Sequence, residues 1–507
     1  MFDARIWKRS VFSGPAAMLV LALFQSLFVL SALLQSTWVY YRVYAAGPDQ
    51  GWYYHTVREP IALQLLGMLL VLMAAELLLW WCFGRLSVTA TPVLVPLFVL
   101  LTLSTVYQTY ARSPANAVKH FATILLGLGA MVASMVLVQL LARIRLSGPA
   151  FRWMLYGCWA LCLLSLLAGL ISRGGAFLDL GFLNIQPGEF FKLLTIFLIG
   201  AGFVHTLQDR RTSCLLLLTL LFLVLTLMLV GDLGNAFILF LAALLVIFFR
   251  YGARAAGALA AAAALGSAVG YRLLSAFLPA DSRILWRVSN TFQALTVPLE
   301  GRVNRDLRTA LFAALRGGVF GSGLAHNTYV LSNGYVYTDF VFDTVISFFG
   351  AAMALLVVLA VILLILRSRT DLEHTGQNLS HYIYSNLMVL VIATQAIVHV
   401  GGNLNVLPFT GVTFPFLSAG GSAMIASFME LGLALGGRVE GSCLAPLGVP
   451  AQRGAAALGR LLEPVCTPVD RWVLHRLAWA QARLPRPRQL FRRHRRKGGS
   501  EHVSSQQ

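Results

Sequence analysis

The sequence predicts an all-α polytopic membrane protein, with about twelve transmembrane helices and one large extracytoplasmic loop. Three observations lead there. Of the 507 residues, 58% are hydrophobic and only 12% are charged, whereas soluble domains carry about 25% charged residues. Apolar runs of about 20 residues recur without period-two alternation, which selects helices over a closed barrel. The Arg and Lys residues behind the formal net charge of +19 sit in short loops and at the C-terminus. That pattern belongs to cytoplasmic loops and anionic headgroups, not to a nucleic-acid surface.

Taken in order, the candidate spans are 14–40, 60–83, 87–108, 118–142, 152–172, 189–206, 213–230, 234–249, 254–274, 340–366, 383–404 and 416–436. The first apolar run is too long for a cleaved signal peptide and follows a basic start with Arg5, Lys8 and Arg9. With that start in the cytoplasm, Arg85, Arg143, Arg145, Arg210, Arg211, Arg250, Arg367 and Arg369 also fall on the cytoplasmic side, as does the tail run Arg492 to Lys497. The loop from Ser275 to Asp339 is then extracytoplasmic. The tail after Arg438 ends in polar residues and holds a candidate interfacial helix near Asp470–Arg483, with Trp472, Leu477 and Trp479. Six cysteines show no metal-site spacing, and Cys158 and Cys162, one helical turn apart, read as packing residues.

Ionisable groups inside the spans are costly and mark candidate functional sites. Glu76, Glu189, Lys192, Asp232 and Glu430 are the clearest. Glu189 and Lys192, three apart, share a helix face just after Pro187, so the lysine can offer a charge to a phosphate or pin the helix through an internal pair. Asp232, in Gly231-Asp232-Leu233-Gly234-Asn235, suits a cap in a tight re-entry turn. Tyr337-Thr338-Asp339-Phe340-Val341-Phe342 marks re-entry of the long loop. Leu407 to Ser422, rich in Gly and Pro, breaks the helix at the outer membrane edge, which is tolerated only where backbone is buried or lines a cavity. The long loop itself carries Arg283, Arg287, Arg302, Arg305, Arg308 and Arg316, suited to an anionic substrate.

Together these segments resemble the SEDS family (shape, elongation, division and sporulation proteins such as RodA and FtsW). The family's LDLG…QPSE…K, PDLG, GSGG, HTDFIF and LP.TG…PF.SYGGS patterns read here as LDLGFLNIQPGEFFK, GDLGN, ALRGGVFGSGL, YTDFVF and LPFTGVTFPFLSAGGS, in the same order. The resemblance covers about Leu86 to Gly437. It divides the chain into a two-helix extension (1–85), a ten-helix core with its loop (86–437) and a basic cytoplasmic tail (438–507).

The resemblance implies a bacterial cytoplasmic (inner) membrane protein with both termini in the cytoplasm. It implies a peptidoglycan glycosyltransferase that polymerises lipid II in cell-wall growth or division, beside a class B penicillin-binding protein. The acceptor's 4-hydroxyl attacks the donor's anomeric carbon and undecaprenyl diphosphate leaves. That needs a base for the hydroxyl and positive charge on the diphosphate. The site set is then Glu300 as base with Asp306 as fallback, and Glu189, Lys192, Arg302, Arg305, Arg316, Asp339, Ser418, Gly420, Gly421 and Ser422 toward substrate. Any cofactor would be a divalent cation, Mg or Mn. The sequence departs from the family at its loop acid. Counting back from Gly318 reaches Leu299 and counting forward from Pro298 reaches Gly301, so Glu300 is the nearest carboxylate. The GEELG segment reads Ile346-Ser347-Phe348-Phe349-Gly350, without acids. The alternatives are a scaffold that binds, transports or regulates undecaprenyl-diphosphate-linked precursors without polymerising them, or one that builds another surface polysaccharide.

Overall fold

The chain is described by a computed structural model covering residues 20–27, 30, 51–85, 91–111, 114–141, 148–171, 178–179, 184–208, 210–230, 232–277, 305–323, 334–369, 379–407 and 409–436. Glu300, Arg302, most of the first span, the loop arginines before residue 305 and the tail lie outside the described residues.

Helices dominate because apolar runs of this length can satisfy their backbone only internally. The order is α1 (Gly51–Arg85), α2 (Leu94–Ala111), α3 (Pro114–Leu141), α4 (Gly148–Ile171), a short hairpin β1–β2 (Leu178–Asp179 and Asn184–Ile185), α5 (Pro187–Gln208), α6 (Arg210–Val230), α7 (Leu233–Tyr251), α8 (Ala253–Phe277), α9 (Arg305–Gly317), α10 (Val341–Phe349), α11 (Ala351–Ser368), α12 (Leu379–Asn403) and α13 (Gly421–Gly436). The hairpin pairs Leu178 with Ile185 and Asp179 with Asn184. Among the described residues, Leu63–Phe83, Ala115–Val138, Ala351–Ser368 and Tyr382–Asn403 are helical, long and apolar enough to cross a membrane, and α2, α4, α6, α7, α8 and α13 contain shorter apolar stretches.

The centre of the bundle is α13 laid along α3. Their backbones approach closely because glycines face the contact: a Cβ at Gly432 would strike the carbonyl of Met131, and one at Gly127 would strike the Phe428 ring. The main apolar core joins α1, α2 and α3 to α10, α11 and α13 through Phe98, Tyr107, Phe348, Phe414 and Phe428, all with at most 2% exposure. A second cluster joins α5, α7, α12 and α13. Cys158 and Cys162 are buried and unbridged in α4, in separate apolar clusters.

Two expectations need correction. The single span at 340–366 is two helices, α10 and α11, broken at Gly350, whose φ of +87° favours glycine. A Cβ there would strike the carbonyl of Val319. The break exists because the Gly317–Gly323 loop crosses this point. Within the long loop, residues 305–317 form the amphipathic helix α9, burying Leu307, Ala310, Ala313 and Ala314.

The extension is locked to the core by polar contacts. Gln25 donates to Glu76 of α1 at 3.0 Å and to Thr102 of α2 at 3.2 Å, and all three side chains are buried. A buried carboxylate needs such donors to offset its desolvation.

Candidate functional site

The four motif segments meet at one end of the bundle. Asp232 caps α7, its Oδ1 accepting from the Asn235 backbone N–H at 3.3 Å. Its Oδ2 accepts from Asn235 Nδ2 at 3.0 Å and from Gln186 Nε2 at 2.8 Å. Gln186 also donates its backbone N–H to Ser422 Oγ at 3.2 Å, tying the hairpin to the start of α13. Ser418 Oγ donates to the Thr338 carbonyl at 2.7 Å and accepts from the Phe414 N–H at 2.8 Å, and the Ala419 N–H bonds the Tyr337 carbonyl at 2.9 Å. Asn403 donates to the Asp339 carbonyl at 3.0 Å. From the other side, Tyr107 and Gln108 of α2 donate to the carbonyls of Val336 and Tyr337 at 2.7 and 3.2 Å.

Beneath this cap lies a buried charged network. Lys192 Nζ is 2.7 Å from Glu189 Oε2, 3.7 Å from Glu430 Oε1 and 3.1 Å from Gln395 Oε1, to which it donates. Gln395 donates to the Thr413 carbonyl at 3.1 Å, and Asn235 Nδ2 to Glu189 Oε1 at 3.0 Å. One ammonium therefore joins α5, α12 and α13, with links to α7 and the 409–420 loop. Lys192 and Glu430 have no exposed surface, and Glu189 has 3%. In this geometry the lysine holds helices together by two buried ion pairs and one hydrogen bond to Gln395.

The long-loop side is different in kind. Asp306 stands exposed in the first turn of α9, where a carboxylate suits the helix dipole, and Arg316 is exposed in its last turn. Arg305 begins the same helix. The outward face of α9 and the following turn expose Phe312, Leu315, Val319 and Phe320. The glycine stretch after α9 is zipped to the α10–α11 break. The N–H groups of Ser322 and Gly323 bond the carbonyls of Ser347 and Phe348 at 2.9 and 3.1 Å, and those of Ala351 and Ala352 bond the carbonyls of Gly318 and Val319 at 2.9 and 3.2 Å. Glycine is required at 317 and 321 because a Cβ would collide with the carbonyls of Ile346 and Phe348.

The structure thus brings Glu189, Lys192, Asp232, Asp339, Ser418, Gly420, Gly421 and Ser422 to one region, and puts Asp306 and Arg316 on the neighbouring helix. Sequence reading missed the amides Gln186, Asn235, Gln395 and Asn403 that connect them. Gln186 and Asn235 lay inside the quoted motifs, so their positions carried a signal. Gln395, His399 and Asn403 follow one another at four-residue spacing on the inward face of α12, a buried polar stripe legible only as an i, i+4, i+8 repeat.

A family model described as cell cycle protein, of the FtsW, RodA and SpoVE type, matches residues 83–437. The probable peptidoglycan glycosyltransferase FtsW of Wigglesworthia glossinidia brevipalpis is 28% identical over 297 residues, covering 56% of this chain and 74% of that protein. Its namesake in Pseudomonas fluorescens (strain SBW25) is 27% identical over 384 residues, covering 69% and 87%. Among solved structures, a chain from a peptidoglycan synthase complex that coordinates polymerization and crosslinking superposes with a TM-score of 0.50 at 23% identity, covering 68% of this chain and 95% of that one. That likeness concerns the fold.

Proposed function

This chain belongs to the FtsW/RodA/SpoVE family of cell cycle proteins, and from that premise we propose that it is a membrane glycosyltransferase that polymerises lipid II into peptidoglycan strands. The observation that carries this reading is the convergence of the four motif segments at one end of the bundle, directly beside α9 and its glycine zipper. The printed names of the curated relatives support the reaction class. The membrane is the bacterial cytoplasmic membrane, with the termini in the cytoplasm and the α9 side outside. The partner is a class B penicillin-binding protein. Basic residues of the tail meet anionic lipids.

The reaction forms a bond between the acceptor's 4-oxygen and the donor's anomeric carbon, and breaks the bond from that carbon to the diphosphate. The hydroxyl proton passes to a carboxylate, for which Glu300 is the first choice and Asp306 the second. The leaving diphosphate takes the bond's electron pair and needs cationic partners. Arg302, Arg305 and Arg316 supply these, with or without a divalent cation. Lys192 contributes by holding Glu189 and Glu430, so α5, α12 and α13 form a rigid floor. Polymerisation of fluorescent lipid II by the purified full-length protein with its partner tests the reading. Glycan strands from the wild type, lost in Glu300→Gln or in Asp306→Asn, support it. Equal activity in both variants removes both acids from the base role.

A second reading rests on the acid-free segment Ile346–Phe349 and on the exposed setting of Asp306. On this reading the scaffold binds or moves an undecaprenyl-diphosphate-linked precursor without polymerising it, or serves another surface polysaccharide. Tight lipid binding with no strand product favours the first form. Strand formation only from a different undecaprenyl-diphosphate sugar favours the second.

A further inference from the structure

An exposed apolar face at the motif end of the bundle lies on α9 and the turn after it. Phe312 is 59% exposed, Leu315 76%, Val319 59% and Phe320 86%. Phe312 stands between the exposed Arg308 and Arg316 at four-residue steps along the helix, with Leu315 beside them. Val319 and Phe320 follow in the turn. The helix packs through its other side, which buries Leu307, Ala310, Ala313 and Ala314. One face therefore interleaves bulky apolar groups with cations, and a patch of this kind marks a contact surface.

The contacts of this face place it at the edge of a membrane. α11 has 18 residues and is apolar enough to cross. A helix of that length rises about 27 Å, close to the hydrocarbon thickness of about 30 Å. Arg367 and Arg369 mark one end of it, so Ala351 lies at the other. There the N–H groups of Ala351 and Ala352 bond the carbonyls of Gly318 and Val319 at 2.9 and 3.2 Å, so the turn caps the tip of a span. α12, the next span, returns to the same side and closes at Asn403, which donates to the Asp339 carbonyl at 3.0 Å. α10 is thus pinned at both ends to span ends and lies along the boundary. α9 follows α10: Leu307 and Ala310 cluster with Phe340, and a Cβ at Gly317 would strike the Ile346 carbonyl. It lies along the boundary too.

The chemistry of the face fits that level. α11 exposes Leu355, Leu359, Ile362 and Leu366 at helical spacing, the side a crossing helix turns to acyl chains. The exposed Ala351 and Ala352 head this stripe, and they are the residues that the turn caps. Val319 and Phe320 thus extend the apolar surface past the helix tip. At such a boundary a bulky apolar side chain reaches acyl chains. A neighbouring arginine lays its methylenes on apolar surface and keeps its guanidinium among phosphates. A folded partner covering the same face would have to bury both arginines or supply acids for them. A bilayer already offers phosphates beside acyl chains.

We propose that α9 and the turn after it form a binding surface for anionic phospholipid. Val319 and Phe320 enter the edge of the hydrocarbon, and Phe312 and Leu315 lie at the acyl boundary. Arg308, to which the reaction above assigns no role, holds a headgroup phosphate. The glycine zipper joins this anchorage to the α10–α11 break, so the bilayer sets the height of α9 beside the motif segments. The surface requires only that α11 cross a membrane, and it stands or falls separately from the reaction.

The test uses the full-length protein in phosphatidylcholine nanodiscs, free of lipid precursor and of any second protein. Phe320→Cys, in a background with the native cysteines replaced, carries a nitrobenzoxadiazole label. Doxyl groups on the acyl chains should quench the label, and iodide in the water should not. Amide hydrogen exchange in α9 should slow by about fivefold when phosphatidylglycerol is added to the discs, and Arg308→Gln should remove most of that slowing. Quenching by iodide and not by doxyl lipid, or protection of the label only after a second protein is added, would overturn the surface. So would exchange indifferent to phosphatidylglycerol, or slowed equally in Arg308→Gln. The exchange comparison on the wild type is decisive even where a variant fails to fold.

Discussion

The buried floor around Lys192 and the shelf formed by α9 are built from the same kinds of charged residues and behave in opposite ways. In the floor, one fully buried ammonium donates to a buried amide and is ion-paired with two buried carboxylates. On the shelf, Asp306, Arg308 and Arg316 are exposed. A charge removed from water and fully paired fixes geometry, because its partners cannot swing without leaving an unpaired buried ion. A charge left in water can still meet an incoming diphosphate. The difference teaches that the Glu189–Lys192 motif is architectural in this fold, while on the proposed reading it is the exposed α9 side that meets an anionic substrate.

The largest expected effect breaks the floor. Lys192→Met strands two buried carboxylates and should cost about 3–5 kcal/mol, seen as a large fall in thermal midpoint or in monodisperse yield. Adding Glu189→Gln and Glu430→Gln should recover much of that stability. If the lysine's main task were to bind phosphate, the triple variant would be no more stable than the single one. Next comes the joint between floor and shelf. Gly321→Ala, at φ +85° and against the Phe348 carbonyl, should cost about 1–3 kcal/mol and raise protease cutting near residues 317–323. Unchanged cutting would mean that the zipper does not hold α9. A smaller effect belongs to the extension: Glu76→Leu should loosen the Gln25–Glu76–Thr102 clip by about 1–3 kcal/mol, read as faster cysteine labelling at the neighbouring buried position 21 in a Leu21→Cys background. The smallest is Arg492→Ala, expected within about 0.5 kcal/mol of wild type with unchanged polymerisation. A loss matching that of Lys192→Met would contradict the orientation proposed for the tail.

Much of this was legible from residues alone. Long apolar runs located most of the described helices to within a few residues, although α1 begins nine residues before its span and α2 seven after, and the motif segments marked which ends would meet. The break at Gly350 was not legible, because Val341 to Ser368 reads as one apolar run and the cause of the break is another segment crossing it. α9 was readable in principle, since Leu307, Ala310, Leu311 and Ala314 keep helical spacing, but the arginines around them gave the stretch the look of a loop. Glu430 stood out as a charge in an apolar helix, yet its partner is 238 positions away in the chain at Lys192. The amides were the least legible, because Gln and Asn carry no charge to make their burial conspicuous.

Gly188 stands where the family pattern has serine, and any Cβ there would run into Asp232 Oδ2, which Gln186 and Asn235 hold in place. The two positions are therefore sterically coupled. The family pattern carries serine here together with the aspartate of PDLG, so a side chain at 188 fits only where that carboxylate is seated differently from its place in this chain. Gly188→Ser alone should be harmful, and the same change made in an Asp232→Ala background should be milder.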